Sequence, residues 1–268
     1  VSALATAGVL GVLWRADVIR PTSFPPARRR DVFGIPAPVW FVGGAVIFLA
    51  QPLAGQMILA LVPGARSAHP DARSLTLVQV VAYSASLVAA SVVLYLFAPR
   101  TNEKTGLRLR LSDVPRGVLA FLGVAPACVL VNLLSQRVAE TLSGRPQDRI
   151  GHSTLGLITD PSAGPWRWAL AAAACLGAPV VEELIYRVML QSSLLALTGR
   201  TWPAVLITAG IFTAVHASVA ALPALPTLLV LSLGMGIAYE RTRRMGVPIT
   251  VHVLFNVANV MLAVLTRE

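Results

Sequence analysis

Apolar runs close to the length of a membrane span alternate along this chain with short segments that carry arginine. Trp40–Leu61, Leu77–Phe97, Val118–Leu134, Trp168–Leu197, Trp202–Val219, Thr227–Tyr239 and Val247–Leu265 read as helices. A run of roughly 20 apolar residues matches the hydrocarbon thickness, and none of these runs alternates as a barrel strand would. Val1–Trp14 is apolar but short, and reads as a truncated first helix; with no basic flank before it, it does not read as an intact signal peptide. The pattern predicts an all-α fold, a polytopic transmembrane helical bundle of about 8 membrane helices, or 7 if the first run does not span.

The segments between the runs are distinct. Arg15–Pro38 contains the proline-rich Pro21–Pro26, which cannot be helix interior. Pro63–Ser74 reads as a polar turn. In Pro99–Arg116, Leu107, Leu109 and Leu111 alternate with arginine as in a short interfacial segment. Arg137–Gly164 holds Asp148, His152 and Asp160 and is expected to be extramembrane with some helix. Pro52 is expected to kink its helix. There is no internal repeat and no low-complexity tract. The predicted organisation is residues 1–136 as N-terminal membrane helices without an assigned role, 137–165 as an extramembrane loop, and 166–265 as a membrane-helix core that carries the chemistry.

Composition supports the membrane reading. The chain is 56% hydrophobic and 13% charged, with a mean hydropathy of +0.72, where a soluble domain carries roughly 25% charge. The net charge of +10 comes almost entirely from arginine, since Lys104 is the only lysine. Such a charge could serve nucleic acid, but the arginines sit between apolar runs, and the positive-inside rule accounts for them instead. Placing the Arg15–Arg30, Arg100–Arg116, Arg200 and Arg241–Arg244 segments on the cytoplasmic side gives that side 14 of the Lys and Arg residues and the other side 7, with Arg187 inside a span. Both termini then lie outside. The expected location is an integral, multi-pass position in a bacterial cell membrane, with the lipid bilayer as partner and no nucleic acid. Cys128 and Cys175 fall inside apolar runs and read as core thiols, not as a disulfide framework.

Charge inside a span is costly and survives where it pairs or works. Glu182, Glu183 and Arg187 lie in the apolar run Trp168–Leu197. Glu183 and Arg187 are four apart and share a face, so they can neutralise each other. Glu182 points about 100° away and is left free for chemistry. The competing reading joins all three in one structural network. His216 follows Phe212 by one turn on another helix. His252, Asn256 and Asn259 line one face of a third; Asn259 reads as interhelical glue. A carboxylate can act as general base on water, histidines can position that water, bind a metal or stabilise an oxyanion, and an asparagine amide can donate to an oxyanion. These are the parts needed for amide hydrolysis. No HExxH of a soluble zinc protease is present. If a metal binds, Glu182, His216 and His252 form a two-His-one-carboxylate set suited to zinc; if none binds, Glu182 activates water directly.

The motifs EExxxR (Glu182, Glu183, Arg187), FxxxH (Phe212, His216) and HxxxN (His252, Asn256), in that order on separate helices, resemble the CPBP intramembrane protease family. That family includes the type II CAAX prenyl endopeptidases and bacteriocin-processing or self-immunity proteins. Gly234–Thr242 and Val247-Pro248-Ile249 are similar to the family's run into its third motif, and Tyr186 stands where an aromatic is usual. Val188 departs from the glycine common after the motif arginine, which bears on helix packing. The resemblance covers Trp166–Asn259, about a third of the chain. It implies a helical bundle with a buried site, water activated by Glu182 and His216, and an oxyanion held by His252 and Asn256, with zinc or without a metal. The implied substrate is a membrane-associated, prenylated or leader-type peptide. Two other readings stand beside the endopeptidase: a non-catalytic scaffold or immunity protein that keeps the fold, and an ion or proton transporter.

One expectation conflicts with the others. Counted from the cytoplasmic end, His216 lies about 21 Å along its helix at 1.5 Å per residue, whereas His252 lies near the cytoplasmic end of its own. The two meet only if Ala217–Pro226 is re-entrant or Trp202–Ala204 lies outside the membrane.

Overall fold

The structure, a computed structural model, describes residues 2–61, 71–145 and 153–266. Asp148, His152 and most of the expected turn at 63–74 lie outside the described residues. Eleven helices are described: α1 (Ser2–Arg15), α2 (Ala37–Leu59), α3 (Ala72–Phe97), α4 (Asp113–Ser143), α5 (Ser153–Ile158), α6 (Trp166–Ala172), α7 (Ala178–Glu183), α8 (Gln191–Thr198), α9 (Thr201–His216), α10 (Leu225–Thr242) and α11 (Gly246–Leu265). Helices α6 to α8 form one rod, Trp166–Thr198, joined by π turns at Ala173–Gly177 and Leu184–Leu190. The fold is an all-helical polytopic bundle.

Among the described residues, six helices are long and apolar enough to cross a membrane: α2, α3 with its 3-10 extension, α4, the α6–α8 rod, α10 with the turn before it, and α11. The other two runs are shorter, α1 and the 16-residue α9. Helix α9 ends at His216 rather than at Val219. Helix α4 is longer than its apolar run: it starts at Asp113, ends where Gly144 turns left-handed at φ 66°, and takes residues 137–143 from the expected loop. Helix α3 is capped by Asp71, whose Oδ1 accepts the Ser74 N–H at 2.7 Å.

The α6–α8 rod is the axis of the bundle. Half of its apolar window is buried, against 11% for α4, which lies at the periphery. The core gathers around the rod and takes Trp40 and Ile47 from α2, Phe212 from α9, Leu231, Met235 and Tyr239 from α10, and Val251 from α11. Outward-facing residues such as Phe41, Leu53, Leu96 and Leu119 are exposed apolar side chains, as lipid contact requires. Cys128 and Cys175 are buried and free.

Close packing in lipid depends on small residues where helices cross. A Cβ on Gly117 of α4 would lie 2.3 Å from Thr250 Cβ of α11. Gly117→Ala is therefore expected to push these helices apart and cost about 1–3 kcal/mol, read as a lower unfolding temperature in detergent. Gly123→Ala, further along the same helix with nothing within 4 Å, should leave that temperature unchanged.

The four arginine-bearing segments meet at one end of the bundle. Trp202 Nε1 donates to the Arg20 carbonyl (3.2 Å), Arg29 to that of Gly199, and Arg241 to those of Asp17 and Ser23 (3.0 and 3.2 Å). The Asp31 N–H reaches the Lys104 carbonyl (3.2 Å), and Arg244 pairs with buried Asp113 (3.2 Å). Arg30 departs from the expectation that the arginines serve topology alone. It is 1% exposed and pairs with Glu240 at 2.8 Å. A short apolar cluster of Ala72, Ile158, Leu170 and Ala171 lies toward the opposite end.

Candidate active site

Local backbone geometry sets the site. Pro179 has no N–H and crowds the preceding turn, and the helix relaxes there into a π turn. The Ala178 N–H bonds the Ala173 carbonyl, five residues back. The Ala174 carbonyl then has no donor within the helix, since Ala178 is spent on Ala173 and Pro179 has none to give. It accepts the Asn256 side-chain amide of α11 at 2.9 Å. The proline thus ties the rod to the helix that carries His252.

Beyond the bulge, Glu182 and Glu183 diverge. Glu183 is 0% exposed and lies 3.2 Å from Arg187 Nε. Its other oxygen accepts from His252 Nδ1 at 2.9 Å. Arg187, also fully buried, donates to Ser232 Oγ of α10 at 3.0 Å and stacks 4.9 Å from the Phe212 ring. Glu182 faces the other way and is 23% exposed. Its Oε2 lies 3.6 Å from His216 Nε2 and 3.9 Å from His252 Nε2, and it accepts no hydrogen bond from a described residue. Glu182, His216, His252 and Asn256 thus come together from three helices, with Glu183 and Arg187 behind them. Asn259 is apart, its amide turned back to the Phe255 carbonyl at 2.8 Å.

The depths that conflict in the sequence meet in the fold. Glu182 and His216 each lie about 24 Å from the Gly199–Arg200 turn along their helices. Helix α11 starts inside the bundle, since Gly246, Val247 and Pro248 are already buried and Gly246 packs on Asp113. His252 is therefore deep after fewer than two turns. After His216 the chain leaves the helix through Ala217–Ala221 and a 3-10 turn at Leu222–Ala224 before α10 begins.

The hydrogen bonds fix both imidazoles. His216 Nδ1 lies 2.7 Å from the Phe212 carbonyl, and His252 Nδ1 lies 2.9 Å from a carboxylate. Both partners only accept, so each Nδ1 carries a proton, and each ring turns its Nε2 toward Glu182. With both rings neutral, three acceptors converge on one place. Separations of 3.6–3.9 Å suit a shared donor between them, and a water supplies two protons to such a set. In residue type the set also resembles a zinc site, but among the described residues no three His, Cys, Asp or Glu side chains are placed to hold a metal ion.

Sequence reasoning missed the polar row behind the site. Ser232, Gly236 and Glu240 repeat every four residues on α10, as Glu183, Arg187 and Gln191 do on the rod. The two stripes interlock: Arg187 with Ser232, and Gln191 Nε2 with the Gly236 carbonyl (3.2 Å) and Glu240 (2.8 Å). Arg30 closes the row on Glu240 and Ser192. The i, i+4, i+8 spacing of polar residues in apolar helices was the signal available.

Residues 164–258 match the family model described as type II CAAX prenyl endopeptidase Rce1-like. The match supports the CPBP/CAAX protease family resemblance that the three motifs carry, over the part of the chain that contains them. No curated protein and no solved structure matches the chain.

Proposed function

We propose that the protein is an intramembrane endopeptidase in which Glu182 activates water for attack on a peptide carbonyl. The observation that carries this reading is the convergence of two oriented Nε2 atoms on one oxygen of Glu182, at 3.6 and 3.9 Å. The family match supports a protease of the CAAX type. A water held by these three acceptors gives its proton to Glu182 as its oxygen adds to the carbonyl carbon. His216, anchored by the Phe212 carbonyl, orients that water. The tetrahedral intermediate then collapses, the C–N bond breaks, and the proton passes to the leaving amine. Glu183 holds the tautomer of His252, and Arg187 and Ser232 hold Glu183.

Asn256 spends one amide hydrogen on Ala174 and has a second left for the oxyanion. Asn256→Ala is expected to lower kcat by about 10²–10³, the usual effect of removing an oxyanion donor. A matching rise in KM with kcat unchanged would assign Asn256 to substrate binding instead.

The reading is tested with detergent-purified protein and a quenched peptide library, comparing wild type and Glu182→Ala with and without a zinc chelator. Wild-type cleavage that is lost in Glu182→Ala and survives chelation is the expected result. Loss in the chelated wild type would require a metal in the step. Full activity of Glu182→Ala would overturn the assignment.

A further inference from the structure

We infer that a cavity at the arginine-rich end is a binding site for a phosphate ester that carries a hydrogen-bond donor, of the phosphoethanolamine type, as a lipid headgroup or a soluble ester presents it. The site follows from the fold alone and is independent of the peptidase reading.

The cavity measures about 260 Å³ and is lined by Ser23 and Phe24 of the N-terminal segment and by Glu240, Arg241 and Arg243 at the end of α10. At roughly 30 Å³ per water, it has room for a small polar group. Arg241 is set in place: its Nη1 donates to the carbonyls of Asp17 and Ser23 (3.0 and 3.2 Å), and its guanidinium lies 5.9 Å from the Phe24 ring. Those bonds orient the planar fork, whose Nε and Nη2 match the oxygens of a phosphate. Arg243 brings a second cation to the same wall. Buried Glu240 takes Arg30 and Gln191 on Oε1, and Arg30 neutralises it, while its Oε2 accepts from no described residue. A buried carboxylate oxygen without a donor is costly. An ammonium or hydroxyl attached to the phosphate supplies that donor, as the arginines supply the donors for the phosphate.

The backbone sets this cavity apart from the other arginine-bearing segments. Among the described residues, Asp17 and Arg243 alone have positive φ without being glycine, each at 54°. Arg243 lines the cavity. Asp17 holds its wall, through Arg241 and through Ser23 Oγ, which donates to Asp17 Oδ1 at 3.3 Å. The left-handed residues that end α4 and α8 are glycines, Gly144 and Gly199, as sterics favour. A topological charge does not require the strain of an arginine in that conformation, since Arg244 beside it carries the same charge on ordinary backbone. Strained residues of this kind cluster at ligand clamps.

The level in the membrane suits a headgroup. Phe24 packs edge-on against Trp202 at 5.4 Å, and Arg20 lies 5.6 Å from the ring of half-exposed Trp14. Tryptophan is enriched at the membrane–water interface, where the phosphate of a phospholipid lies and where a soluble ester also has access.

The test is native mass spectrometry of the full chain, purified in an uncharged maltoside detergent and given equal amounts of phosphatidylethanolamine, phosphatidylcholine and free phosphoethanolamine. Wild type should retain one phosphatidylethanolamine, or one phosphoethanolamine if the source is soluble. It should retain about tenfold less phosphatidylcholine, whose quaternary ammonium has no N–H to donate. Arg243→Gly should lose the retained ester by about tenfold or more. It should still unfold at the wild-type temperature or above, because glycine takes the left-handed conformation without strain. Equal retention of phosphatidylcholine, equal retention by Arg243→Gly, or no retained ester in wild type overturns the inference. A lower unfolding temperature for Arg243→Gly also overturns it, because the side chain would then serve the fold. None of these readouts involves turnover, so failure of the peptidase reading in the cleavage assay is separable from failure of this one.

Discussion

Glu182→Gln should reduce peptide cleavage by about 10³-fold or more, while the protein purifies, folds and unfolds as wild type does. The size follows from what the amide removes. A positioned general base contributes about 10²–10⁴, and an amide of the same shape cannot take the proton. Its NH2 would also donate to His216 or His252, occupying the lone pairs that hold the water. Stability should not suffer, because Glu182 is not in the buried ion pair and its Oε2 accepts nothing from a described residue. Glu182→Asp separates the two effects. It keeps the base but withdraws it by one methylene, and should retain measurable activity. Both are read as initial rates on one quenched peptide, with thermal unfolding as the check on folding.

Arg187→Met should destabilise the bundle strongly. It leaves Glu183 charged at 0% exposure with only His252 as a partner. Breaking a buried pair by removing one member costs about 3–5 kcal/mol, a large share of typical total stability. Loss of monodisperse protein after extraction is the expected result. Arg187→Met combined with Glu183→Gln removes the orphaned charge and should recover most of the folded protein. It should not recover activity, because an amide at position 183 no longer fixes the His252 tautomer as the carboxylate does. Full recovery of cleavage in the double variant would show that the pair serves packing alone.

The bundle and the three helices that bring Glu182, His216 and His252 together were legible because their signals are local. Span-length apolar runs come from hydrocarbon thickness, and EExxxR, FxxxH and HxxxN each lie within about one turn of helix. Features that depend on how helices meet were not legible. The expected cytoplasmic position of His252 assumed that α11 starts at the rim, whereas Gly246 starts it against buried Asp113. Arg30 belongs to an arginine run and reads as a topological charge, yet its partner Glu240 is 210 residues away. The extent of α4 was hidden because a helix that rises above the bilayer turns polar without ceasing to be a helix. The π turns leave one usable trace, Pro179, which removes a donor and so predicts an orphaned carbonyl one turn earlier.

Hydrolysis by a water that Glu182 activates leaves an isotopic mark in the products. A peptide library is incubated with wild type or Glu182→Gln in water enriched in oxygen-18, and the products are read by mass spectrometry. Hydrolysis places one heavy oxygen in each newly formed C-terminal carboxylate. Such termini are expected with the wild type and essentially none with Glu182→Gln. Heavy termini formed equally by Glu182→Gln would contradict it, because the water would then be activated by something other than Glu182.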